Sequence, residues 1–155
     1  MRTLVSSVAA VAILASTMFF AQADDEKDAK VDFSKVKCLM NAKAPAKETN
    51  AADYKGGKVY TCCGGCLAKF KKDPAKYATA ANAQLVSTKQ FVQKKCPISG
   101  GPAKADKSVE VNGIKVMFCC GNCQGKVSGA EGDKKAELVF SDKAFKKGFV
   151  AAKKK

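Results

Sequence analysis

The chain has 155 residues, a formal net charge of +14, eight cysteines and neither histidine nor tryptophan. Without histidine, His-dependent triads, Cys–His nucleophile pairs and mixed Cys/His zinc sites are excluded, so any site chemistry must run through sulfur. The charge does not point to nucleic acid: Arg2 is the sole arginine, and lysine gives a diffuse field without the planar forks that read guanine and phosphate. A solvated surface accounts for most of the lysines, with loose association with anionic lipid or wall polymer as the alternative.

The first residues read as an export signal. Arg2 supplies the charged end, Val8 to Ala15 is apolar throughout, and Ala21-Gln22-Ala23 places small residues where signal peptidase cleaves. Ser6, Ser7, Ser16 and Thr17 interrupt a stretch already short for a membrane span. Residues 1–23 are therefore expected to be a signal peptide, leaving a periplasmic or secreted chain with no transmembrane segment after processing. Residues 24–30 are charged and lack periodicity, as a disordered leader does. The mature chain is too short to stabilise two units by apolar burial alone, so a metal or disulfide staple is expected.

From there the sequence repeats. Cys62, Cys63 and Cys66 form a cluster, Cys119, Cys120 and Cys123 form a second, and a lone Cys38 or Cys96 precedes each. The clusters are 57 residues apart and the lone cysteines 58. Tyr54, Gly56, Lys58, Val59 and Lys69 match Val111, Gly113, Lys115, Val116 and Lys126 in the same register. Ala83-Gln84-Leu85-Val86 matches Ala136-Glu137-Leu138-Val139 at an offset of 53. The expected modules are 31–92 and 93–152, with 153–155 as a basic tail.

In the first module, Ala52 to Tyr54 and Lys58 to Thr61 flank Lys55-Gly56-Gly57 and predict a β-hairpin. Cys66, Leu67 and Phe70 then fall at helical spacing among lysines. Asp73-Pro74 ends that helix, and Asp73 is placed to cap a second short helix over Ala75 to Ala81. Leu85-Val86 reads as a short strand or docking segment, and Phe91 as a core contact. In the second module Val109 to Val111 and Ile114 to Phe118 flank Asn112-Gly113, a strong hairpin signal. The following helix should be shorter, because Gly125, Gly129 and Gly132 intrude. Leu138-Val139-Phe140 reads as another short strand or docking segment, and Phe145 and Phe149 as core contacts. The fold class expected is α+β.

Each hairpin delivers Cys62 or Cys119 to the start of a helix, where backbone N–H groups and nearby Lys69 or Lys126 favour thiolate, the metal-binding form. Cys62 with Cys66, or Cys63 with Cys66, can chelate one ion, and so can the corresponding pairs of the second cluster. Spacing alone does not choose between them.

A cysteine in Cys38-Leu39-Met40-Asn41 or Cys96-Pro97-Ile98-Ser99-Gly100, a hairpin, Val59-Tyr60-Thr61-Cys62 or Val116-Met117-Phe118-Cys119, three residues and a final cysteine resembles the TRASH/YHS group of small metal-binding modules. The likeness covers nearly all of both repeats, including Phe70 and Asp73-Pro74-Ala75-Lys76-Tyr77. It implies two tandem treble-clef-like modules, hairpin then helix, of a kind associated with heavy-metal trafficking, sensing and resistance. The ligands it implies are Cys38, Cys62 and Cys66, then Cys96, Cys119 and Cys123. The second repeat departs from the pattern after Cys123, where Val127 replaces the Phe and no Pro-x-x-Tyr follows.

Three thiolates leave a fourth position on a tetrahedral ion for Cys63 or Cys120, for water, or for a donor from a partner. Soft sulfur ligands fit Zn(2+) or Cu(+), and copper(I) accepts only two or three. Cys63 and Cys120 also read as cluster-bridging, mutually paired or merely packed. The expectation is a non-enzymatic exported metal-binding protein for trafficking, buffering or resistance, with a protein partner for metal transfer, or a zinc-stabilised binding module. Two alternatives stand beside it: a disulfide-stapled secreted interaction protein, and a thiol–disulfide oxidoreductase using the CxxC spacings.

Overall fold

Two hairpins are fixed by their turns. In the computed structural model, which describes residues 31–153, β1 (Lys47–Tyr54) and β2 (Gly57–Thr61) pair antiparallel with Tyr54 opposite Gly57. Lys55 and Gly56 are thus a two-residue turn, with φ of 51° and 79°. Both values are left-handed, as in the I′ turn whose twist matches the strands it joins. After β3 (Phe91–Gln93), β4 (Lys104–Val111) and β5 (Ile114–Phe118) repeat the device with Asn112 and Gly113, at 52° and 76°. The predicted signal peptide, the leader and Lys154–Lys155 of the tail lie outside the described residues.

β1 and β4 reach further back than predicted, across matching register shifts at Lys47/Ala51 and Lys104/Ser108. A bulge breaks the two-residue alternation that marks a strand in sequence. Helix α1 (Gly64–Lys72) follows the first hairpin and α3 (Gly121–Ser128), one residue shorter, the second. Phe70 and Val127 are buried at the same place in each, so a smaller side chain fills the position where the second repeat departs from the pattern. Asp73 ends α1 through its N–H to the Lys69 carbonyl and accepts the Lys76 N–H on its carboxylate at 3.2 Å. The expected helix over Ala75 to Ala81 is in two pieces, a 3₁₀ turn (Ala75–Tyr77) and then α2 (Ala78–Ser87).

Leu85-Val86 and Leu138-Val139-Phe140 are not strands. They lie within α2 and within α4 (Gly132–Phe140), because Ala81 and Leu85, and Ala136, Val139 and Phe140, fall at helical spacing on buried faces. A short apolar run fits either element when read alone. The two helices pack on each other, although they come from matched segments of different repeats. Helix α5 (Asp142–Gly148) leads to β6 (Phe149–Ala151), which pairs antiparallel with β3. Phe91, Phe145 and Phe149 are core residues as expected, with ring centroids 5.0 and 5.3 Å apart in succession. One apolar cluster takes Val59, Phe70 and Leu85 from the first repeat and Val116, Phe118 and Phe140 from the second. Burial that neither repeat could supply alone is pooled.

A polar knot crosses this core. The buried Asn82 amide donates to the Phe140 carbonyl at 2.8 Å and to Asp142 Oδ1 at 2.9 Å, while its oxygen accepts from Lys55 Nζ at 2.9 Å. Lys55 also pairs with Asp142 at 2.5 Å and lies 5.0 and 5.2 Å from the Tyr54 and Phe145 ring centroids. These contacts explain a lysine at a left-handed turn position that favours asparagine or glycine. Asn82→Ala should cost about 1–3 kcal/mol in urea unfolding, because buried groups lose their partners. Lys55 and then Asn82 hold the Asp142 carboxyl below its ordinary range, so the unfolded chain binds the proton more readily. The stabilisation is complete above the ordinary aspartate range and disappears as pH falls through the lowered value. The difference in urea midpoint between the protein and Asp142→Asn should therefore be present at neutral pH and close in acid.

Candidate metal centre

Each lone cysteine sits in a tight loop that its own backbone closes. Cys38 N–H donates to the Ala44 carbonyl at 3.0 Å between bridged Lys37 and Pro45, and Cys96 N–H to Gly101 at 2.8 Å between Lys95 and Pro102. The first loop is one residue longer, which accounts for the 58-residue offset of the lone cysteines against 57 elsewhere. Cys62 and Cys119 leave the ends of β2 and β5, and Cys66 and Cys123 occupy the first turns of α1 and α3.

Folding brings these positions together twice. The sulfurs of Cys38, Cys62 and Cys66 lie within 4.8 Å of one another, as do those of Cys96, Cys119 and Cys123. Cys62 and Cys66 sulfurs are 3.7 Å apart, and Cys119 and Cys123 3.6 Å. A tetrahedral ion with Zn–S bonds near 2.3 Å spaces its sulfurs about 3.8 Å apart, so the donor set fits such an ion with little movement. Cys38 and Cys96 are buried and the other four half-buried, so each triad has a closed base and an open mouth.

Cys63 and Cys120 stand at that mouth. Both are exposed and occupy the extended N-cap positions of α1 and α3. The Cys120 sulfur is 3.6 Å from that of Cys119.

The thiols of a triad share protons unequally. Burial resists ionisation of Cys96, but the Ser99 hydroxyl and the N–H groups of Ser99, Cys119 and Ile98 outweigh it and lower the thiol to about 6. Cys38 is lowered in the same way, burial being overcome by N–H groups of Met40, Cys62 and Asn41 and by the Cys62 thiol. Cys66 is pushed up to about 12, chiefly by the hydrogen bonds it gives Cys63 and Cys62. Cys123 reaches about 12 through burial and its bonds to Cys119 and Cys120. At neutral pH the second triad thus holds thiolate at its buried base and a thiol on its helix, and in the first Cys38 and Cys66 are shifted in the same two directions. Cys63 and Cys120 are lowered first by the N–H of Cys66 and Cys123, three residues on.

Two glutamines that the sequence did not single out as site residues set the spacing. Gln84 accepts the Tyr60 N–H at 2.6 Å and donates to the carbonyls of Tyr60 and Lys37, both at 2.8 Å. One amide therefore ties the strand before Cys62 to the residue before Cys38. In the second repeat Glu137 occupies the matched position and is exposed. Gln93, from β3, takes over the role: it accepts the Met117 N–H at 2.9 Å and donates to Met117 at 2.5 Å and Lys95 at 3.0 Å. No repeat signal could reveal a task that moved to another element.

Ser99 distinguishes the centres further, its hydroxyl lying 3.1 Å from the Cys119 sulfur, where the first repeat has Asn41.

Gln84→Ala should speed iodoacetamide labelling of Cys38 and leave Cys96 unchanged, and Gln93→Ala should do the reverse, each by about tenfold as read by peptide mass spectrometry. Because thiolate is the reactive form, Cys96 labelling in the reduced metal-free protein should rise through pH 6. Ser99→Ala should move that rise to higher pH. No family model, curated protein or solved structure matches the chain, so these centres are read from their own chemistry.

Proposed function

We propose that the protein is an exported, non-catalytic carrier or buffer of a soft metal ion, zinc(II) or copper(I), held one to each triad. The observation that carries this reading is the pair of three-sulfur clusters with all members within 4.8 Å. Three thiols in mutual contact cannot pair off among themselves, whereas three sulfur donors are a ready first shell for such an ion. The hairpin and helix that supply Cys62 and Cys66, and their counterparts, support the resemblance to treble-clef-like TRASH/YHS modules. The predicted signal peptide supports export.

An open mouth favours exchange over permanent structure. Cys63 and Cys120, exposed beside it, serve as the displaceable fourth donor. A bound ion would be surrendered when a donor from a partner takes that place. A second reading has one observation in its favour: exposed Cys63, at a helix N-cap with Cys66 three residues on, also has the arrangement of a dithiol oxidant or reductant.

Elemental analysis of the reduced protein should find two ions per chain. Cys38→Ser or Cys96→Ser should remove one, and Cys63→Ser should retain both while changing the rate of transfer to a chelator. Binding must displace protons from Cys66 and Cys123, whose thiols lie at about 12, so affinity should fall as pH is lowered. Stoichiometry at background, with thiols appearing only after reduction, would sink the metal reading. Turnover of a disulfide substrate, lost in Cys63→Ser, would establish the second.

A further inference from the structure

A groove of about 590 Å³ is lined by the two residues that follow Cys96 and by residues of α3, α4 and α5. Pro97 and Ile98, the residues after Cys96, form one wall, and Leu138 of α4 and Ala144 of α5 the other. Its rim is charged. Lys126, Lys134, Lys143 and Lys147 surround the apolar floor against a single carboxylate, Glu137. Around Lys69, the counterpart of Lys126, the first repeat has a smaller cleft whose one large apolar side chain is Tyr77. The difference follows from topology, because α5 has no equivalent between α2 and β3.

We infer that this groove docks an acidic protein segment with an aliphatic or aromatic anchor, belonging to the partner that exchanges metal with Cys96, Cys119 and Cys123. The role in exchange rests on the metal-binding reading; the docking itself does not. An apolar floor ringed by cations matches a segment that buries one or two large side chains and presents carboxylates around them. The groove is also joined to the centre. Lys147 Nζ donates to the Ile98 carbonyl at 3.2 Å, and the Gly148 carbonyl accepts from Lys94 and Lys95. At Gly148 a Cβ would meet the Pro97 backbone at 3.0 Å. The loop carrying Cys96 therefore leans on the same helix that walls the groove. A carboxylate drawing Lys147 away from Ile98 would loosen that loop and the buried ligand it carries.

The test uses the full reduced chain and a short fluorescein-labelled peptide of Glu, Asp, Leu and Phe, with binding followed by anisotropy at physiological salt. Lys126→Glu, Lys134→Glu and Lys143→Glu together should weaken binding at least about tenfold. The charge-matched set Lys69→Glu, Lys72→Glu and Lys76→Glu should leave it within about twofold, since exposed lysines far from a contact contribute little. Replacing Leu and Phe of the peptide by Ser should also cost about tenfold. Equal losses in the two lysine sets, or unchanged binding of the Ser peptide, would reduce the effect to net charge and overturn the proposal. Displacement of the peptide by sodium dodecanoate, with tighter binding of the dodecanoate itself, would reassign the groove to a small amphiphile. Tighter peptide binding on deletion of residues 24–30 would reassign it to the chain's own acidic leader. Metal content is measured separately on the same samples. Peptide binding without metal uptake leaves docking standing and removes the metal reading, and metal uptake without peptide binding does the opposite.

Discussion

The sulfurs of each triad come from two stretches of backbone, the loop of the lone cysteine and the strand-to-helix junction, and one side-chain amide ties the two together. A primary amide can accept one strand N–H and donate to two carbonyls at once, which lets it act as a short substitute for a neighbouring strand. Gln84 does this between Tyr60 and Lys37, and Gln93 between Met117 and Lys95. An apolar side chain there would remove all three of these hydrogen bonds at once, a larger penalty than the loss of one ordinary hydrogen bond. The geometry of the thiols is thus held by groups that never touch a thiol. Rigidity set from outside the ligand shell lets the mouth stay open without the base loosening.

The same economy governs the core. Helices α2 and α4 bury their apolar faces on each other, the β3–β6 ribbon ties the ends of the repeats, and Asn82, Lys55 and Asp142 knot them across the junction. Cooperative loss of both centres is the natural result of unfolding either half, since the packing belongs to both. Charge adds to this: the pair of Lys55 and Asp142 is only partly screened, because Lys55 lies against two aromatic rings.

Much of the centre was legible in the chain. The cysteine register marked two sets of four that contain all six triad members, without choosing between Cys62 and Cys63 or between Cys119 and Cys120, and Asn112-Gly113 at one turn supported the weaker Lys55-Gly56 at the other. What escaped had physical causes. Leu85-Val86 and Leu138-Val139-Phe140 were ambiguous because apolar runs of that length serve helix and strand alike, and only the tertiary partner decides. Gln84 was hidden by divergence, since Glu137 stands at its counterpart and is solvated. Gln93 was hidden too, since Ala151 stands at its position in the matching Phe149-Val150-Ala151 segment. Ser99 is an ordinary loop serine in sequence, and acquires meaning only when Cys119 is brought within 3.1 Å.

The pairing of matched helices across the junction bears on ancestry. When equivalent surfaces of two copies pack against each other, the contact is self-complementary, as in a two-fold dimer. A chain carrying one repeat would expose the face of its α2-like helix and satisfy it most directly with another copy of itself. Joining the copies end to end removes the concentration dependence of that association. Within one chain the two halves need not be identical. The groove walled by α5 exists on one side only, which a symmetric assembly of identical subunits could not have provided.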